Sequence, residues 1–251
     1  MRYNDVVRGI MHKQYLARFA DVKIKEALNA LGGVYIEGPK GCGKSTTAER
    51  FAKTIIKLQD PIVFERYSSL ATVSKELLLS GEKPLLFDEW QKIPELWDFI
   101  RADIDDKSAT GLYLLTGSAK PKEDKKRHTG TGRIAKITMY PMSLWESQDS
   151  SGEVSLKYIF DKKDQINGIN KLTFDKLAFV VCRGGWPEAV VRPKQAMTLM
   201  DYYYKSLTTE DIIDVDGINR DPKKARAILR SYARNISTFA SNATIIADIE
   251  E

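Results

Sequence analysis

The sequence predicts an α/β fold: a parallel five-stranded sheet covered by helices, followed by a mainly helical region. Three observations predict it. Short apolar runs alternate with helical patterns in the order β–α–β–α–β–α–β–loop–β through the first half of the chain. A glycine-rich turn, Gly38 to Ser45 (GPKGCGKS), joins the first strand to the helix after it. Near Ser147 the polar stretch SQDSSGE interrupts the pattern, and beyond it the strands do not resume.

At 251 residues the chain is long enough for one large domain, or for a domain with a smaller one beside it. Hydrophobic residues make up 43% and charged residues 29%, an ordinary globular composition. A net charge of +5 permits an acidic partner such as nucleic acid without requiring one. The two cysteines, Cys42 and Cys182, give no disulfide framework and point to a reducing compartment. Charges interrupt the N-terminal stretch MRYNDVVRGIMHKQYLARF throughout, so it reads as neither a signal peptide nor a membrane span. The expectation is a cytoplasmic protein with no membrane partner.

Taken in order, residues 1–30 are basic and helical in pattern, with Leu16, Phe19, Ile24, Leu28 and Leu31 as a loose apolar stripe that Gly32-Gly33 ends. Val34-Tyr35-Ile36 reads as a short buried strand. Ser45 to Leu58 reads as a helix with Ala48, Phe51, Ala52, Ile55 and Ile56 on one face. Asp60-Pro61 turns into a second strand at Ile62-Val63-Phe64. A helix over Ser68 to Ser80 ends at Gly81, and Pro84 to Phe87 is an apolar strand ending in Asp88-Glu89. Residues 94–105 form a helix, Gly111 to Leu115 a strand closed by Thr116-Gly117-Ser118, and Ile134 to Tyr140 the fifth strand. The expected divisions are 1–147, 148–215 and 216–251. In the last of these Asp221-Pro222 opens a long helix with Ala225, Leu229, Tyr232 and Ile236 as its apolar stripe.

The turn Gly38 to Ser45 matches G-x-x-x-x-G-K-[ST], and a strand before it with a helix behind it is the context that motif requires. Glycines let the backbone of Gly38, Pro39, Lys40, Gly41, Cys42 and Gly43 curl so that its N–H groups converge on phosphate oxygens, and the new helix adds its positive end. Lys44 is placed to neutralise the β- and γ-phosphates of ATP and the Ser45 hydroxyl to ligate Mg²⁺, and Thr46 is expected among the residues that bind the nucleotide. Cys42, at a helix N-terminus, is open to a redox role, although a small residue fitting the turn is the plainer reading. Asp88, at the end of an apolar strand, is the expected second-sphere carboxylate of the Mg²⁺ shell, and the strand is expected beside that of the P-loop. Glu89 is the expected general base for a water attacking the γ-phosphate. Ser118, with Thr116 as its rival, is expected to touch the γ-phosphate or that water. Arg127 and Arg133 are candidates for an arginine that stabilises transition-state charge, supplied by a neighbouring subunit.

A P-loop, a strand ending Asp-Glu, a strand ending Thr-Gly-Ser, Gly-Arg before a strand ending Tyr-Pro, and then Gly184-Gly185-Trp186-Pro187-Glu188 together resemble the AAA+ superfamily. Within it the chain is similar to a prokaryotic group of ATPases with a C-terminal domain of unknown function, over about residues 15–215. The resemblance implies a three-layer P-loop core, a helical lid and a winged-helix segment. It implies Walker A roles for Lys44 and Ser45, Walker B roles for Asp88 and Glu89, the sensor position for Ser118 and the finger for Arg133. The winged helix reads as incomplete at Glu251, so Phe239, Ile245 and Ile246 are expected to be poorly packed or covered by another chain. The function expected is ATP hydrolysis coupled to conformational change, with ATP or ADP as ligand and possible self-association. The alternatives are a non-hydrolysing nucleotide switch, a small-molecule kinase, which Asp88-Glu89-Trp90 does not favour, and a DNA-associated ATPase. The last rests on Lys223, Arg226, Arg230 and Arg234 along one helix face and on the basic stretch Lys120 to Lys136.

Overall fold

The computed structural model describes residues 15–117, 130–161, 167–211 and 221–250. Its centre is a sheet of five parallel strands, β1 (Gly33–Glu37), β2 (Thr54–Lys57), β3 (Leu85–Asp88), β4 (Tyr113–Gly117) and β5 (Ile134–Thr138), in the spatial order β2-β3-β4-β1-β5. Strand side chains alternate between faces, and the apolar residues obey that period. Tyr35, Phe87, Tyr113 and Leu115 enter one core, while Val34, Ile36, Leu86 and Leu114 enter the other. Helices α1 (Phe19–Ala30) and α2 (Lys44–Glu49) contribute to the second core through Ala20, Ile24, Leu28 and Ala48. On the opposite face α3 (Pro61–Val73), α4 (Lys75–Leu78) and α5 (Leu96–Lys107) cover the first, with Leu78, Leu96, Ile100 and Ile104 buried. The result is the three-layer arrangement that the alternating pattern predicts.

Two elements differ from the expectation. The helix after the P-loop ends at Glu49, and Thr54–Lys57 is a strand, so Ile55 and Ile56 lie in the sheet and not on a helix face. The β-branched run Thr54-Ile55-Ile56 outweighs the helical spacing that joins it to Ala48. Conversely, Ile62-Val63-Phe64 is helical. Asp60 caps α3 by accepting from Ile62 N at 2.9 Å and Val63 N at 3.3 Å, and Pro61 occupies the first turn, where its missing N–H costs nothing.

The chain divides into two compact units, and the division falls between Pro193 and Lys194. The first unit also holds α6 (Leu156–Asp161), α7 (Phe174–Arg183) and α8 (Pro187–Val191). The second contains α9 (Ala196–Ser206), a π-turn over Leu207–Asp211, α10 (Pro222–Arg234) and α11 (Asn242–Glu250). Asp221 caps α10 by accepting from Lys223 N at 2.8 Å, and Arg234 pairs with Asp248 at 3.0 Å. Ile245 is buried, whereas Phe239 and Ile246 are exposed. Among the described residues no helix is long and apolar enough to cross a membrane.

Candidate nucleotide site

The P-loop leaves β1 at Glu37, at the carboxyl ends of the parallel strands, where ligands of open α/β sheets bind. Gly38 takes φ 153°, and a Cβ there would stand 2.1 Å from the Met139 carbonyl oxygen, so only glycine lets the loop pass the end of β5. Lys44 is buried. Its ammonium donates to the carbonyls of Gly38 and Pro39, both at 3.0 Å, which spends two of three donors on shaping the loop. Cys42 is fully buried, and burial pushes its thiol pKa up, the opposite of what a redox role needs.

The Ser45 hydroxyl donates to Asp88 Oδ1 at 2.6 Å, so the two expected metal-site residues do meet. The strand carrying Asp88 is not beside that of the P-loop, as the sequence suggested, because β4 lies between them. Thr116 fills the gap. In register with both Ile36 and Asp88, and fully buried, it donates to the same Asp88 oxygen and accepts a 3.4 Å bond from Glu89 N. Glu89 itself takes φ 59° and ψ 47°, a left-handed conformation unusual for a residue with a Cβ. Its carboxylate accepts from Gln91 Nε2 at 2.5 Å and Gln59 Nε2 at 3.3 Å. Ser118 and Arg127 lie outside the described residues.

A cavity of about 860 Å³ opens beside the P-loop. Ser45, Thr46 and Asp88 line one part of it, and Tyr15, Leu16, Met142, Pro187 and Val191 give it an apolar wall. Tyr15 hydrogen-bonds Asp21 at 2.6 Å and lies 3.2 Å from the Thr47 hydroxyl, with the Arg50 guanidinium 4.1 Å over its ring. Burial, foremost, pushes the Tyr15 hydroxyl pKa well above its ordinary value. Beneath the loop sits Arg18, only 6% exposed. It donates to the Cys42 carbonyl at 2.8 Å, to the Tyr140 carbonyl at 2.7 Å and to Glu146 Oε1 at 3.1 Å. This anchor was not legible in the sequence, where Arg18 is one basic residue among several.

Residues 32–148 match the family model of an AAA domain, and residues 174–251 match a domain of unknown function (DUF8612). The chain carries an AAA domain. Among solved structures it is similar to a Walker-type ATPase of Pyrococcus abyssi at 16% identity, over 95% of this chain and 89% of that one, with a TM-score of 0.48. It is also similar to AMPPCP-bound DnaA from Aquifex aeolicus at 13% identity, over 96% and 86%, with a TM-score of 0.36. No curated protein matches the chain.

Behind the AAA domain, Gly184-Gly185-Trp186-Pro187 finds a physical role that the sequence did not disclose. Met142 N donates to the Gly185 carbonyl at 2.6 Å, and a Cβ on Gly185 would stand 2.1 Å from the Met142 oxygen. Backbone meets backbone there, Trp186 packs on the core of the P-loop face, and Pro187 is delivered to the cavity wall. The buried pair of Arg183 and Asp149, at 2.8 Å, fixes the same junction from the side of α7. Gly185→Ala is therefore expected to lower stability by about 1–3 kcal/mol through overpacking, read as a fall in the urea midpoint at unchanged slope.

Arg133 is not brought to this site. Its carbonyl accepts from Gly33 N at 3.0 Å, which places it at the start of β5, at the end of the sheet away from the P-loop. Its guanidinium instead pairs with Asp105 at 2.5 Å on α5. In the second unit, Arg226 donates to Thr208 and Arg234 pairs with Asp248, so the basic face expected of α10 is partly tied up within the chain, with Lys223 and Arg230 exposed. No cluster of three or more His, Cys, Asp or Glu suited to a metal ion exists among the described residues.

Proposed function

We propose that the AAA domain binds ATP with Mg²⁺ and hydrolyses it to ADP and phosphate. The observation that supports this most directly is the chain of hydrogen bonds from Ser45 through Asp88 to Thr116 and the Glu89 backbone, whose first two members line the cavity beside the P-loop. A metal of this kind takes few protein ligands, its shell being completed by phosphates and water, so a hydroxyl backed by one carboxylate suits it without an all-protein cage. Ser45 would hold the ion and Asp88 would orient that hydroxyl; when bound, Mg²⁺ neutralises charge on the β- and γ-phosphates. Lys44 contributes its remaining donor to the same phosphates.

Glu89 takes a proton from water as the water oxygen bonds to the γ-phosphorus, and the bond from that phosphorus to the β-bridging oxygen breaks, leaving ADP with the electron pair. The apolar wall of Tyr15, Leu16, Met142, Pro187 and Val191 suits the base, so nucleotide state is felt where α8 joins the domain. Lys44→Ala is the first test: calorimetry should show ATP affinity falling sharply, and unchanged affinity refutes the site.

The role left to Arg133 is on the phosphates of a second copy, since it stands at the far end of its own sheet. Lys44→Ala lacks a working pocket and keeps the arginine, and Arg133→Ala has the reverse defect. Mixing the two inactive variants should restore part of the turnover if copies assemble around the nucleotide. A mixture that stays inactive removes Arg133 from catalysis and leaves it an ion-pair partner of Asp105.

A further inference from the structure

We propose that Gln91 is a positioning residue for Glu89, and that the hydroxyl of Tyr35 holds its amide in place. The inference deepens the reading of Glu89 as general base and rests on it. Gln91 Nε2 donates to Glu89 Oε2 at 2.5 Å. An amide presents its oxygen when turned over, and oxygen against a carboxylate oxygen at that separation is repulsive. The charge on Glu89 therefore selects the nitrogen-facing orientation. That orientation leaves Gln91 Oε1 pointing inward, buried and without a hydrogen-bond partner among the described residues.

Two other buried atoms lack a partner in ordinary hydrogen-bond geometry, Tyr35 Oη and Trp90 Nε1, although the indole N–H is near enough to the Tyr35 oxygen to stabilise it. Both can donate, and Gln91 Oε1 can only accept, so the three form a complementary set. They also converge in space. A Cβ built on Gly117 would stand 2.5 Å from Gln91 Oε1 and 3.4 Å from Tyr35 Oη, so both oxygens face the same bare backbone at the end of β4. Tyr35 and Trp90 meet edge to face at 5.8 Å between ring centroids. Burial, foremost, pushes the Tyr35 hydroxyl pKa up to about 12, which keeps its proton available for donation at neutral pH. Leaving a buried polar group unpaired is costly, so a short approach or one shared water among these atoms is favoured.

With that approach made, a chain of contacts runs from β1, which carries the P-loop, through Tyr35 and Gln91 to the carboxylate of Glu89. Gln59 approaches the other carboxylate oxygen from beyond β2. Held on both sides, Glu89 keeps its left-handed backbone and one side-chain direction. A side chain at Gly117 would displace the Gln91 amide.

The test uses the full chain with Gln91→Met, which keeps volume and loses the donor, together with Tyr35→Phe and Glu89→Gln. In Gln91→Met the dissociation constant for an ATP analogue should stay within twofold, while single-turnover hydrolysis falls about 100-fold, the scale on which misplaced catalytic groups act. Tyr35→Phe should act in the same direction by less. A readout independent of turnover is the side-chain amide resonance of Gln91 in ¹H–¹⁵N spectra, which should move in Tyr35→Phe and again in Glu89→Gln. Wild-type hydrolysis by Gln91→Met, with Glu89→Gln inactive, overturns the positioning role alone. Full turnover by Glu89→Gln instead overturns the reading of Glu89 on which the role rests. An amide resonance unmoved by Tyr35→Phe removes Tyr35 from the arrangement.

Discussion

Arg18→Ala is expected to destabilise the first unit by about 3–5 kcal/mol, the usual consequence of removing one member of a buried ion pair. Glu146 is left behind with a desolvated charge, and the carbonyls of Cys42 and Tyr140 lose their donors. Arg18→Lys should recover only part of this, because one ammonium cannot span the three directions that the planar guanidinium serves. The same pair sets an acid limb. Burial pushes the Glu146 carboxyl pKa up, but the backbone N–H groups of Ser143 and Phe19 and the Arg18 guanidinium outweigh it and hold the value below the ordinary one. The folded state thus binds fewer protons than the unfolded state in that window, so stability rises with pH through it. The contribution is complete above the ordinary glutamate value of about 4.3 and is lost as pH falls through the lower folded value. Denaturant midpoints from pH 3 to pH 7 should show this slope in the wild type and a flatter one in Arg18→Ala. An equal slope in both would detach Glu146 from the clamp.

Glu89→Gln is expected to retain nucleotide affinity and to lose about 10²–10⁴-fold in turnover, the range that general base catalysis supplies. Glutamine keeps the size of the side chain but cannot take a proton from water. The change also places an amide against the amides of Gln59 and Gln91, so part of the loss comes from rearrangement of that group. Binding measured by calorimetry and hydrolysis measured in a single turnover separate the two quantities. Should the variant hydrolyse as the wild type does, the base is elsewhere. Should the wild type also fail to hydrolyse bound ATP, the nucleotide acts as a switch ligand alone.

Much of the fold was legible because its strands are short, apolar and bounded by turn residues. Four of them, at Val34, Leu85, Tyr113 and Ile134, lie where the pattern puts them. The error at residues 45–64 came from two periodicities competing. Ala48, Phe51, Ala52 and Ile55 are spaced for a helix, while Thr54-Ile55-Ile56 are β-branched, and pairing with β3 decides between them. Ser45 and Asp88 were legible because each belongs to a motif. Their meeting depends on Thr116, which was visible only as a rival to Ser118. Arg18 and Gln91 carried no local signal, and Gly185 stood in a motif whose physical role could not be read from the sequence. Their roles come from groups that the fold brings to them from distant parts of the chain, and no window of sequence contains both sides of such a contact.

The strand order has a bearing on how the protein is made. Between them, β4 and β5 supply both neighbours of β1, pairing with it along its whole length. A ribosome releases β1 long before either neighbour exists, so the P-loop strand begins life with both edges bare and with Val34, Tyr35 and Ile36 uncovered. Such edges template pairing with other chains. Long-range parallel pairing is also slow to form, because the loop closure precedes the reward. The nucleotide site cannot be assembled until synthesis has passed Thr138, and nascent chains that stall earlier are the form of this protein most in need of a chaperone.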